Sequence, residues 1–207
     1  MPQPETAEDR QSTDPKSNDR RTLILHATVD LLLENGLAAT RTRAVTERSG
    51  VGTGLLNHYF RWSDLRAAAW KLIFDEVAKE TFALDLPPDQ VMEQYFAQAF
   101  VAEAERYWRL WLEATELAKQ DEAIAHVLGE AQARMDNALC SVLIAGNAVG
   151  LWALPNPEAT ATRLGALYDG LAGLLHSRSK RLTRPAAEAH LRHLFALECG
   201  RQAVVQR

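Results

Sequence analysis

The chain has 207 residues, a formal net charge of −4 and 47% hydrophobic side chains. That is enough apolar material for a sizeable core in one or two domains, and it excludes a generally sticky polycation. The two cysteines, Cys140 and Cys199, stand in no metal or redox spacing, which argues against a disulfide framework and suits a reducing compartment. No apolar run approaches the length of a membrane span and the first residues are polar rather than signal-like, so the expected location is cytoplasmic.

Ala, Leu, Glu and Arg dominate and β-branched residues are few, so the expected class is all-α, with nine helices in two domains. Residues 1–19 are polar, lack aromatics and read as a disordered tail. A first helix is expected from Arg20 to Asn35, with Ile24, Ala27, Leu31 and Leu32 on one face and Gly36 as its stop. Short helices follow at Thr42–Ser49 and Thr53–Tyr59, separated by Gly50-Val51-Gly52. A longer one is expected from Ser63 to Leu84, before Pro87 and Pro88. Five more are expected at Asp89–Ala102, Ala104–Lys119, Glu122–Val149, Glu158–Arg178 and Pro185–Cys199. The expected domains are residues 20–66 and 67–200, with a tail at 201–207. Between Arg20 and Trp70 Arg20, Arg21, Arg41, Arg43, Arg48, Arg61 and Arg66 outnumber Asp30, Glu34, Glu47 and Asp64, while acids outnumber bases afterwards. A mildly basic head on an acidic body suits a small nucleic-acid-contacting module.

Two short helices around a glycine turn have the form of a helix-turn-helix, whose second helix enters the major groove. Ala44, Val45 and Val51 supply the packing side and Gly50 the turn. The run Gly36-Leu37-Ala38-Ala39-Thr40, then Val51-Gly52-Thr53-Gly54-Leu55-Leu56-Asn57-His58-Tyr59-Phe60, preceded by Ile24-Leu25-His26-Ala27, resembles the signature of the TetR/AcrR family of transcriptional regulators. The stretch Leu56-Asn57-His58-Tyr59-Phe60, followed by Trp62 and Leu65-Arg66-Ala67, is similar to the family's betaine-regulator branch. The resemblance implies a DNA-binding set of Thr40, Arg41, Thr42, Arg43, Gly52, Thr53, Leu55, Asn57, His58, Tyr59 and Arg61. Within it Thr40 is similar to the cap of the second helix, Thr42 and Arg43 reach phosphate or a nearby base, and Tyr59 matches a phosphate-contacting tyrosine. Phe60 reads as a core anchor. Gly52 and Thr53 stand where the family often has Ser and Lys, and Arg61-Trp62-Ser63-Asp64 where it usually has Gly-Ser-Lys. The missing lysine leaves Arg61 and Arg66 as alternative replacements.

The second domain is expected to dimerise and to hold a small molecule, as the resemblance implies. Leu164, Leu167, Tyr168, Leu171, Leu174, Leu175, Leu191, Leu194 and Phe195 are the expected dimer interface, with Gly165, Gly170 and Gly173 allowing close helix approach. An intramolecular core is the alternative for that stripe. Tyr95, Phe96, Phe100, Trp108, Trp111, Met135 and Trp152 are the expected pocket, with a plain core as alternative, and Arg109, Glu113, Glu116 and Asn147 as candidate polar hooks.

No catalytic residues and no cofactor are expected: phosphate-loop, zinc-protease and nucleophile-elbow motifs are missing. His190, His193 and Cys199 are too loosely spaced to be assigned a metal. The expected function is a ligand-responsive regulator, read as a repressor that binds a palindromic operator in double-stranded DNA as a homodimer and is released by an apolar or amphipathic effector. The alternatives are an oligomeric helical protein with a cavity but no DNA binding, and a cavity-based enzyme.

Overall fold

The computed structural model describes residues 15–82 and 85–200. Among them are nine α-helices and no strand. They are α1 (Pro15–Asn35), α2 (Thr42–Ser49), α3 (Thr53–Tyr59), α4 (Trp62–Thr81), α5 (Pro88–Ala99), α6 (Glu105–Leu117), α7 (Glu122–Ala148), α8 (Pro157–His176) and α9 (Arg184–Glu198). A single 3-10 turn, Ala102–Ala104, leads into α6. The expected order of helices is therefore realised, with α2 and α3 at their expected bounds. Helix α1 starts at Pro15, inside the segment expected as tail, while the rest of the expected tails and the Leu84 end of the fourth helix lie outside the described residues. Helix α5 stops at Ala99 rather than Ala102, because Val101 turns extended (φ −65°, ψ 163°) ahead of the 3-10 turn.

Local chemistry sets several boundaries. Asp121, Asn156 and Thr183 each cap a helix by accepting a hydrogen bond from the amide three residues on. Gly50 closes α2 in the left-handed region at φ +68°, where a Cβ would crowd the following carbonyl.

Three apolar clusters run along the molecule. The first holds Ile24, Leu31, Val45, Val51, Leu56, Phe60 and Leu65, so α1, α2, α3 and the start of α4 form a head. The middle one gathers Leu32 and Leu37 with Trp70, Ile73, Phe74, Leu110, Ile124 and Leu128. It ties the ends of α1 to α4, α6 and α7. Trp70 is fully buried there, donates its indole N–H to the Leu110 carbonyl (3.1 Å) and stacks on Phe74 at 4.2 Å. The third cluster fills the body with residues of α5, α7, α8 and α9. Helix α4 passes through the expected domain boundary: Leu65 belongs to the head cluster, Ala67 and Trp70 to the middle one.

The expected dimer stripe is largely spent within the chain. Leu164 and Leu191 are fully buried and Leu171 nearly so; Tyr168 hydrogen-bonds Trp108, and Phe195 packs against Phe96 and Trp152. Leu174 is exposed, with Leu167, Leu175 and Leu194 half-buried beside it. An apolar helical stripe reports that a neighbour exists and not which chain supplies it. Leu197 on α9, exposed at 53%, was not in the expected set. A Cβ on Gly170 or Gly173 would meet nothing within 4 Å, so neither mediates a close approach inside the chain.

Candidate functional site

The outer surface of the head is built by α2, α3 and the two turns around α2. Arg41, Arg43, Gly52, Thr53, Asn57, His58 and Arg61 are exposed on it, while Thr42, Leu55 and Tyr59 are half-buried. The inner faces of the same helices carry Val45, Val51 and Leu56, so the amphipathic pattern fixes which side is presented. Asn57 and Thr53 make no side-chain hydrogen bond within the described residues, which leaves their polar groups open outward. The Tyr59 ring packs against the head cluster with its hydroxyl unpaired among the described residues, and the His58 ring lies edge-on to it at 5.3 Å. Phe60 is buried under the Arg21 guanidinium, 4.7 Å from the ring centre, as a core anchor should be.

Thr40 corrects its expected role. It is buried, and its hydroxyl donates to the carbonyls of Gly36 (2.6 Å) and Leu31 (3.2 Å). It therefore locks the turn after α1, and its side chain neither caps α2 nor reaches the surface; the N-cap is Arg41, whose side chain makes no capping bond. The Arg41 guanidinium folds back on the carbonyls of Ala38 and Thr40. Arg43 pairs with Glu47 at 2.8 Å, one turn on, and both are solvent-exposed. A pair so open is weak and easily exchanged for a phosphate. Of the two candidates for the missing lysine, Arg66 is committed inward: it binds Asp121 at 2.8 Å, with both side chains mostly buried. Arg61 is exposed and forms no ion pair among the described residues.

The head is fastened to the body by two polar seams. On α6, Glu113 accepts hydrogen bonds from the amides of Leu37 (2.5 Å) and Ala38 (3.2 Å), and Arg109 donates to the carbonyls of Leu33 (3.0 Å) and Glu34 (3.2 Å). One helix thus serves the orphan carbonyls at the end of α1 and the amides of the turn that follows. At the start of α4, Ser63 donates to Asp121 Oδ1 at 2.6 Å and Arg66 to Oδ2, while the same carboxylate caps α7 at the Ile124 amide (3.2 Å). Burial pushes the Asp121 carboxyl up, but the bonds from Ser63 and the Ile124 amide and the charge of Arg66 outweigh it and hold it below the usual value.

Between α4, α5, α6, α7 and α8 lies a cavity of about 750 Å³. Tyr95, Trp108, Trp111 and Met135 of the expected set line it. Phe96, Phe100 and Trp152 do not. Phe96 meets Phe195 at 5.5 Å, Phe100 stacks on Tyr168 at 5.3 Å, and the Trp152 indole donates to Leu143 while covering Gly146, where a Cβ would fall 1.9 Å from the ring. Aromatic spacing cannot separate a wall from a filled core. The suggested polar hooks also serve elsewhere: Arg109 and Glu113 in the seam, Glu116 in a pair with Lys119, and Asn147 in a two-way bond with the Leu154 backbone. The polar wall is instead Glu80, Gln98, Arg106, Asp136 and Asp169 among others. These are isolated polar residues on long helices, and no motif marked them.

The comparisons agree with this arrangement. Residues 24–62 match the family described as bacterial regulatory proteins of the tetR family, and residues 88–200 match the BetI-type transcriptional repressor C-terminal family. The HTH-type transcriptional regulator PksA of Bacillus subtilis strain 168 is 30% identical over 175 residues, covering 76% of this chain and 80% of PksA. A transcriptional regulator from Pseudomonas aeruginosa PAO1 superposes with a TM-score of 0.69 at 25% identity, over 94% of this chain and 97% of that one. A regulator from Saccharomonospora viridis, solved in complex with choline, superposes with a TM-score of 0.72 at 16% identity, over 86% of this chain and 96% of that one. With the exposed helix-turn-helix, the seamed body and its cavity, these matches place the chain in the TetR family of ligand-responsive, DNA-binding transcriptional regulators.

Proposed function

We propose that the chain is a repressor that binds a palindromic operator as a homodimer and lets go when a small molecule fills the body cavity. Helix α3 enters the major groove, with Thr53, Asn57 and His58 toward base edges and Arg43, Tyr59 and Arg61 toward phosphate. The exposed Leu174 and Leu197 on α8 and α9, with the open backbone at Gly170 and Gly173, support pairing of those helices with a second copy. The observation that carries the reading is the double duty of α6. Its Tyr107, Trp108 and Trp111 line the cavity, while its Arg109 grips the end of α1 and its Glu113 the turn that leads into α2. Helix α4 makes the parallel connection, with Phe74 and Val77 on the cavity and Ser63 and Arg66 in the second seam.

A ligand that prefers one setting of α4 and α6 changes operator affinity only by that preference. The usual range is about 5–150-fold, and the operator must weaken the ligand by the same factor. Selection of bound sites from random DNA, followed by ultracentrifugation of the protein with and without the selected site, tests the proposal. A two-fold-symmetric site bound by two chains, with half-sites about 34 Å apart, is the expected result. A monomer at micromolar concentration, or no selected sequence, overturns it.

A further inference from the structure

We propose that the cavity takes a protonated primary amine with an extended apolar body, held at its nitrogen by Asp136, Asp169 and Tyr95. The inference rests on the ligand-cavity reading above and adds the chemistry of the effector.

The walls are mostly aromatic, but their charges are one-sided. Glu80, Glu103, Asp136 and Asp169 line the cavity against a single base, Arg106. Arg106 is already engaged: its guanidinium donates to the Tyr107 hydroxyl at 3.0 Å and lies 4.9 Å over that ring. None of the four carboxylates joins any ion pair among the described residues, although more than half of the other described acids do. An anionic effector would meet this field unfavourably and a cation would complete it.

Tyr95 sharpens the position. The residue is 8% exposed, lines the cavity and makes no hydrogen bond through its hydroxyl among the described residues, whereas its neighbour Tyr168 is bound to Trp108 (3.1 Å) and Ala99 (3.3 Å). The Tyr95 hydroxyl thus opens on the cavity, where a ligand can meet it. Burial first, then the charges of Tyr168, Asp169 and Asp136, raise its pKa, so both carboxylates act on this hydroxyl. Burial and the charge of Asp136 likewise push the Asp169 carboxyl up to about 6. Helices α7 and α8 come together here across Gly165, whose Cβ would stand 3.6 Å from Asp136 Oδ1, one turn before Asp169. A cation between the two carboxylates would relieve the repulsion that raises the Asp169 carboxyl.

Ionised carboxylates only accept, and the Tyr95 hydroxyl can accept as well as donate, so the ligand should bring N–H donors as well as charge. A primary ammonium supplies three, and a quaternary ammonium none. The rest of the cavity, faced by Phe74, Trp108, Trp111 and Met135, suits an apolar or aromatic body, and its volume of about 750 Å³ is that of a site for a drug-sized molecule.

Calorimetry on the full-length protein without DNA tests the inference, using phenylhexylamine, its N-trimethylated analogue, phenylhexanol and phenylhexanoate. The amine should bind on the order of tenfold tighter than the alcohol, because its N–H bonds to the carboxylates are charge-assisted. The trimethylated analogue should fall well below the amine, and the acid should be the weakest. In Asp136→Asn/Asp169→Asn protein the advantage of the amine over the alcohol should vanish while the alcohol still binds, which shows that the cavity is intact. Tyr95→Phe should reduce it in part. Equal binding of amine and alcohol, equal binding of the trimethylated analogue, preference for the acid, or no binding by any of the four overturns the inference. Because DNA is absent, each of these results is independent of whether an operator is bound.

Discussion

The turns at Gly36 and Gly50 frame α2 and share a backbone geometry, with φ at +86° and +68°. Their surroundings differ. A Cβ on Gly50 would meet nothing within 4 Å, whereas one on Gly36 would fall 2.7 Å from both carboxylate oxygens of Glu113. Gly50 therefore answers only to chain geometry inside the helix-turn-helix. Gly36 answers to that and to α6, which must come close enough to take the amides of Leu37 and Ala38. The first kind of turn shapes the DNA-binding head, and the second fastens it to the body.

The substitutions that separate the two turns can be ranked. Gly36→Ala should cost most, about 3 kcal/mol, because left-handed strain adds to displacement of Glu113 from amides that then lack a partner. Gly50→Ala should cost only the backbone strain, about 1–2 kcal/mol. Urea unfolding of both variants checks this, and equal losses would mean that Glu113 yields freely. The second seam should rank between them. Asp121→Asn leaves Arg66 without its carboxylate and should cost about 2 kcal/mol, short of the full penalty for a buried pair because some solvent reaches it.

The same seam has a pH signature. The folded pKa of Asp121 lies below its ordinary value, so its contribution is present above the unfolded carboxylate pKa of about 3.9 and is lost as pH falls through the folded value. The wild type should lose stability more steeply than Asp121→Asn below about pH 4. Parallel curves from unfolding titrations across that range would remove Asp121 from the seam.

Substitutions on the outer face should leave stability nearly untouched and act on DNA. Arg61→Ala should weaken operator binding and reduce the slope of log affinity against log salt by about 1, the loss of one phosphate contact. Arg66→Ala should instead act mainly through stability, since that side chain is bound to Asp121. Identical salt slopes for wild type and Arg61→Ala would exclude Arg61 as the replacement for the missing lysine. The smallest effect is expected for Gly52→Ser. Its φ is −65° and a Cβ there meets nothing, so stability should change by less than about 0.5 kcal/mol. A large loss measured by thermal unfolding would point to a role for Gly52 in the turn.

The sequence by itself determined the order of the helices, the positions of α2 and α3 and the inner face of the head. These rest on local signals: apolar spacing along one helix, glycine at a left-handed position, a proline or a capping side chain at a start. The outward position of Asn57 and the buried one of Phe60 follow from the same periodicity. Only the tertiary structure decided what each apolar stripe packs against. Leu164, Leu171 and Leu191 went to the chain's own core, and Phe96, Phe100 and Trp152 filled space that an aromatic count alone assigned to a cavity. It also decided the polar partners. Thr40 met Gly36 and Leu31, Arg66 met Asp121 from 55 residues away, and Glu113 met Leu37 from 76 residues away. The charges of Asp136 and Asp169 came to bear on Tyr95 from two other helices. Helical periodicity orders neighbours within about a turn, so the pairings of Arg66 and of Glu113 exist only once the helices have packed.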